Sequence, residues 1–229
     1  MRRARFLAAA TVLAVLGAGT AYASSQFKQT SNIVLTAKKA GAPTGLKAAL
    51  QSSDPGAVQP QGLKTLTITL PSGTKFNFKS SAIAQCKVSD TEIKATGGAA
   101  CPAKSRIGSG SAVANGAPVF PAIPENANAY AGNGQIVFLL SPKGPSGQVL
   151  VLHGKVSGNK VTTQVPVLSA GGLNIVITGL ELSVKTIGSG KKAFITAGKC
   201  SSGKFVVKSA FLYQTGASLS LTSSSKCSK

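Results

Sequence analysis

Leu63-Lys64-Thr65-Leu66-Thr67-Ile68-Thr69-Leu70-Pro71-Ser72-Gly73-Thr74-Lys75-Phe76-Asn77-Phe78-Lys79 interleaves apolar residues with threonines and lysines on either side of a Pro-Ser-Gly break. A period of two turns one face of an extended chain to a core and the other to water, and β-branched threonine suits the pleat. The stretch predicts a half-buried strand over residues 63–70, a turn at 71–73, and a return through 76–79 as a hairpin with the first strand.

The same signature spreads outward. Residues 128–131 and 135–140 flank Gly132-Asn133-Gly134, and residues 148–156 and 160–167 flank Gly158-Asn159, which predicts two more hairpins. Leu173, Ile175 and Ile177 share one parity while Leu180, Leu182 and Val184 share the other, so a β-bulge or a change of sheet is expected at Thr178-Gly179. Phe205, Val207, Phe211 and Tyr213, then Gly216, then Ala217, Leu219 and Leu221 read as a final hairpin. Ser89-Asp90-Thr91-Glu92 is a capping box that opens one short helical turn through Lys94. The expected fold is all-β, sandwich or jelly-roll-like, with antiparallel hairpins and one short helical turn near Ser89 to Lys94, beside a cleaved signal helix.

Two segments read as something other than strand. Pro118, Pro121 and Pro124 recur every third residue, which favours an extended polyproline-like connector and leaves residues 24–229 as one domain or as two sub-modules meeting near 115–127. Gly108 and Gly110, two apart, read as a tight loop or bulge leading into a short strand; without a helix behind them they are not a phosphate cradle.

Arg2, Arg3 and Arg5, an apolar run from Phe6, and Ala21-Tyr22-Ala23 form a signal peptide with cleavage near Ala23. The run falls short of the roughly 18 to 20 residues that span a bilayer, so no transmembrane anchor is expected after cleavage. Cys86, Cys101, Cys200 and Cys227 all follow it, and an even number in an oxidising compartment predicts two disulfides, Cys86 with Cys101 and Cys200 with Cys227. Each would contribute about 3 to 4 kcal/mol in the chain-entropy picture. Secretion, extracellular or wall-associated, is the expected localisation.

The net charge of +20 falls to +17 once the three N-terminal arginines leave, and Arg106 is then the sole arginine. Lysine is a compact point charge that attracts polyanions generally, whereas bidentate reading of phosphates and base edges is arginine work. Specific nucleic-acid recognition is therefore not expected. Anionic cell-wall polymer or polysaccharide is the expected partner, and lysine on exposed strands also keeps sheet edges from pairing.

The chemistry available to this chain is sparse. His153, the only histidine, lies in an apolar strand run, and no Gly-x-Ser-x-Gly elbow accompanies it. Ser72-Gly73-Thr74-Lys75 and Ser201-Ser202-Gly203-Lys204 match Ser-x-x-Lys but fall in turns. Asp54, Asp90, Glu92, Glu125 and Glu181 are too few and too scattered for a paired-carboxylate hydrolase or a calcium site, with Glu92 explained as a cap and Glu181 facing solvent. No catalytic residue, cofactor or metal site is assigned.

The stretch from Cys86 to Ala112, with Ala100-Cys101-Pro102 leading to Ser105, Gly108 and Gly110, resembles a Cys...Ala-Cys-Pro-x-x-Ser-x-x-Gly-x-Gly pattern of uncharacterised secreted actinobacterial β-rich proteins. The resemblance implies a secreted, disulfide-bearing β fold and no site. The functional expectation is a non-catalytic secreted or cell-envelope β protein that binds anionic envelope polymers weakly through lysine. The alternatives are a hydrolase of an envelope polymer or ester, and a carrier of an apolar ligand, which requires an open cavity inside the fold.

Overall fold

A computed structural model describes residues 26–144, 148–170 and 172–229; the signal-peptide reading lies outside them. Fourteen strands are described: β1 (Lys28–Leu35), β2 (Leu46–Ser53), β3 (Leu63–Thr69), β4 (Lys75–Phe76), β5 (Arg106–Gly116), β6 (Phe120–Ala131), β7 (Gln135–Pro142), β8 (Leu150–Ser157), β9 (Lys160–Gln164), β10 (Leu168–Ala170), β11 (Leu173–Val184), β12 (Ile195–Thr196), β13 (Lys204–Tyr213) and β14 (Ser218–Lys226). One α-helix, α1 (Asp90–Thr96), accompanies them. The chain is all-β, as its alternation requires.

Twelve of the strands belong to a single antiparallel sheet in the order β1-β2-β11-β5-β6-β7-β8-β9-β3-β13-β14, with β10 paired to β11. The sheet curls until its ends meet. Ser223 on β14 donates from Oγ to the Ile33 carbonyl (2.7 Å) and accepts from the Ile33 N–H (3.0 Å), while the Ser31 and Ser209 hydroxyls lie 2.8 Å apart. Side chains thus close a barrel where the backbone ladder stops, and the edges are covered.

Strand alternation sorts the residues. Inward positions carry Ile33, Ala48, Leu66, Leu140, Leu152, Leu182, Val207 and Phe211, all buried. Outward positions on β3, β9 and β14 carry threonine, serine, glutamine and lysine, and β13 turns out Lys204 and Lys208 beside Val206, Ala210 and Leu212. On β3, β9 and β14 this polarity is the reverse of a lipid-embedded barrel, whose outer band is apolar. At one end, Phe76, Phe78 and Phe194 pack edge-on and stacked with centroids 5.4–6.2 Å apart and, with the two-stranded β4-β12 pair, plug the opening. The Cys200–Cys227 disulfide ties β14 to the same end.

A second, smaller core lies outside the barrel. Ile93 of α1 packs with Tyr130, Val137, Leu139 and Val151, the outward residues of β6, β7 and β8, and the Cys86–Cys101 disulfide pins that segment down. Ser89 caps the helix, accepting from the Glu92 N–H at 3.2 Å.

Three sequence readings are corrected. Residues 76–79 do not return along β3: both edges of β3 are taken, by β9 and β13, so β4 crosses to β12 instead. The 117–125 segment is no connector, since residues 120–131 form β6 and the sheet runs unbroken past 115–127. Pro124 is tolerated because it needs to offer only its carbonyl, to the Lys143 N–H at 2.9 Å, just where β7 ends. Gly108 and Gly110 lie within the eleven-residue β5 rather than in a loop ahead of a short strand, while the bulge expected as the alternative corresponds to a register shift between Arg106 and Gly108. The expected hairpins over β6-β7, β8-β9 and β13-β14 are present, as is the bulge between Ile177 and Gly179.

Candidate functional site

The barrel is not filled. An apolar chamber of about 130 Å³ runs along its axis, floored by Leu70, Phe76 and Ile195 of the plugged end and walled by Leu46, Leu50, Leu66, Ile68, Phe138, Leu152, Leu180 and Phe211. Polar residues touch it mainly toward the far end, at Gln29, Gln51 and Ser52. An empty cavity of this size forgoes about 3 kcal/mol relative to a filled core, from roughly 24 cal/mol per Å³. Such a sacrifice is easiest to explain where the space is used.

At the unplugged end a second cavity of about 300 Å³ adjoins the chamber, and Leu140 and Ile177 line both. Here β6 places Glu125, in register with Ala112 of β5, among Ile123, Ala114, Leu150 and Ile175. Its parity is that of Ile123, Ala127 and Ala129, so it is an acid at an inward position. The residue is only 5 % exposed and Oε2 makes no hydrogen bond. Burial pushes its carboxyl up to about 7, because a charged form without water is penalised. Asp90 and Lys94 of α1 border the same cavity, and this end exposes Val58, Val119 and Val167 of the connections and Phe120 at the start of β6.

His153 sits elsewhere, on the outer face of β8. Its Nε2 meets both Asp90 carboxylate oxygens, at 2.9 and 3.1 Å, which ties the start of α1 to the barrel wall. Nδ1 is buried and makes no hydrogen bond. A serine nucleophile would have to reach that enclosed nitrogen, and the concavity beside His153 is lined by no Ser and no Cys. The pair reads as a tether. Asp90→Asn is expected to lose less than about 1 kcal/mol in thermal denaturation, the usual scale of a half-exposed ion pair; a loss above about 2 kcal/mol would contradict it.

The remaining candidates scatter. Ser72 to Lys75 lies in a turn closed by the Thr74 N–H on the Pro71 carbonyl, and Ser201 and Lys204 close a turn on each other. Glu181 is outward and exposed, and Asp54, buried in the connection after β2, accepts from the Gly56 N–H at 3.3 Å. Among the described residues no three His, Cys, Asp or Glu side chains gather where a metal could be held. No described helix is long and apolar enough to cross a membrane.

The outward faces of β3, β8, β9, β13 and β14 expose Lys64, Lys155, Lys160, Lys204, Lys208 and Lys226, and these strands contain no Asp or Glu. Lys204 and Lys226 are direct cross-strand partners.

Comparison with family models, with curated proteins and with solved structures gives no match.

Proposed function

We propose that this is a non-catalytic exported carrier that holds a small apolar ligand inside its barrel. The observation that supports it is the chamber itself: a closed polar exterior around an unfilled interior walled by aliphatic and aromatic side chains. Binding sites for small molecules are concave and mostly apolar with a few placed polar groups, and this interior has that composition. The exposed valines and Phe120 at the unplugged end surround the side from which a hydrophobic guest would enter.

The test is a titration with a small apolar fluorescent probe such as indole, whose nine heavy atoms suit a chamber of about 130 Å³. One saturable site, insensitive to salt, is expected, because burial of apolar surface is not screened. Salt-sensitive binding alone would place the probe on the lysines and defeat the reading. Ala48→Leu, which adds three carbons to the chamber wall, is expected to weaken probe binding at least tenfold while leaving stability equal or higher by about 1 kcal/mol. A loss of more than about 2 kcal/mol would mean the space was already packed.

A second reading is favoured by the single-signed lysine face: weak attachment to anionic envelope polymers. It is compatible with the first and expects retention on wall polymer that falls steeply with salt.

A further inference from the structure

Glu125 is the one acid on an inward strand position among the described residues, and nothing in the barrel satisfies it. A buried acceptor left unpaired costs about 1–3 kcal/mol. Sequence alternation gives this site an alanine-sized or aliphatic residue on either side, so an apolar residue here would have continued the core. The carboxyl lines the cavity at the unplugged end, which shares Leu140 and Ile177 with the apolar chamber. An apolar compartment with a buried, unpaired acceptor beside it fits an amphiphile rather than a bare hydrocarbon.

Resting on the carrier reading, we propose that Glu125 anchors the head of an aliphatic amine or alcohol whose chain occupies the chamber. An ammonium or hydroxyl donates to the carboxylate and supplies the missing partner; an amine also supplies the missing countercharge. A fatty acid is disfavoured, since it would set two carboxylates together. The chamber, at about 130 Å³, is close to the roughly 150 Å³ apolar cavity that takes up benzene, so it takes about six carbons of a chain, and an octyl chain leaves its last carbons and head in the outer cavity. Lys94 borders the same cavity and is the anchor a carboxylate ligand would choose, which makes head-group preference decisive.

The experiment is isothermal titration of the protein and of Glu125→Gln with octylamine, 1-octanol, octanoate and headless toluene at physiological ionic strength. Octylamine is expected to bind at least tenfold tighter than octanoate, and Glu125→Gln to weaken octylamine at least tenfold while leaving toluene unchanged. Equal octylamine affinity in the two proteins, octanoate as the tightest ligand, or toluene binding without any octyl compound would overturn the anchor and leave the carrier reading standing. Absence of binding by toluene and all three octyl compounds would overturn the carrier reading itself.

Discussion

Gly110→Val is expected to lose about 3 kcal/mol or more, with a fall of about 10 °C in Tm or no folded protein at all. Gly110 lies mid-strand on β5, opposite Leu182 of β11, and a Cβ there would overlap the Glu181 carbonyl oxygen. The obstacle is backbone held in a ladder on both sides, so it cannot move aside as a flexible side chain would. Gly108 is similarly confined: its Cβ would stand 2.7 Å from the Ser183 carbonyl oxygen. Gly144, with nothing near and no unusual backbone angle, is the control, and Gly144→Ala should stay within about 0.5 kcal/mol. Thermal and denaturant unfolding of both variants checks the pair. A Gly110→Val protein as stable as its parent would mean that β5 and β11 do not approach so closely, and with that the barrel's closure on this side would fail.

Glu125→Gln should stabilise the protein by up to about 3 kcal/mol at pH 8 and leave it within about 1 kcal/mol at pH 4.5. The sign follows from the direction of the shift. Folding raises this carboxyl from 4.5 to about 7, so the folded chain holds the proton more tightly than the unfolded one. The stability linked to that proton is complete below 4.5, declines as pH rises through 7, and is flat above. The shift corresponds to about 3 kcal/mol at 1.36 kcal/mol per unit. Asp90 and Lys94 face the same cavity, so the comparison of the two proteins, rather than the pH slope of one, isolates Glu125. Denaturant unfolding across pH 4.5–8 measures it. A variant that is no more stable at pH 8 would mean that the carboxylate is solvated, and the head-group anchor would lose its basis. The same arithmetic makes Glu125 a residue that stability alone would discard, which agrees with a role in binding.

Much of the fold is legible in the chain because alternation reports one face at a time. Residues 128–140, 148–164 and 205–221 each carry their own period, their own glycine turn and thus their own strand pair, whereas residues 63–70 carry the period of a single strand. Ser89 and Glu92 announce the helix in the same local way. What alternation cannot report is which strand lies beyond the next turn. β3 takes β9 and β13 as neighbours, pairings across about 90 and 140 residues, and leaves β4 to the plug. Nor does it show that Ser223 meets the Ile33 backbone of β1 and Ser31 the Ser209 hydroxyl of β13 to close the barrel. Composition misleads at residues 117–125, where proline outweighs the Ile123, Glu125, Ala127, Ala129 alternation that continues β6. Had that period been followed through Pro124, Glu125 would have stood out as the acid on an apolar face. The chamber itself has no sequence signature, since an inward leucine reads the same whether it meets another side chain or an empty space.

The most direct test of the carrier claim is a two-dimensional ¹H–¹⁵N NMR titration of the protein with toluene. One-to-one saturable shifts are expected at the inward positions Leu50, Leu66, Leu152 and Leu180, which wall the chamber from β2, β3, β8 and β11. Absence of saturation, or shifts confined to the outward lysine, serine and threonine positions, would show that nothing enters the barrel and would contradict the account.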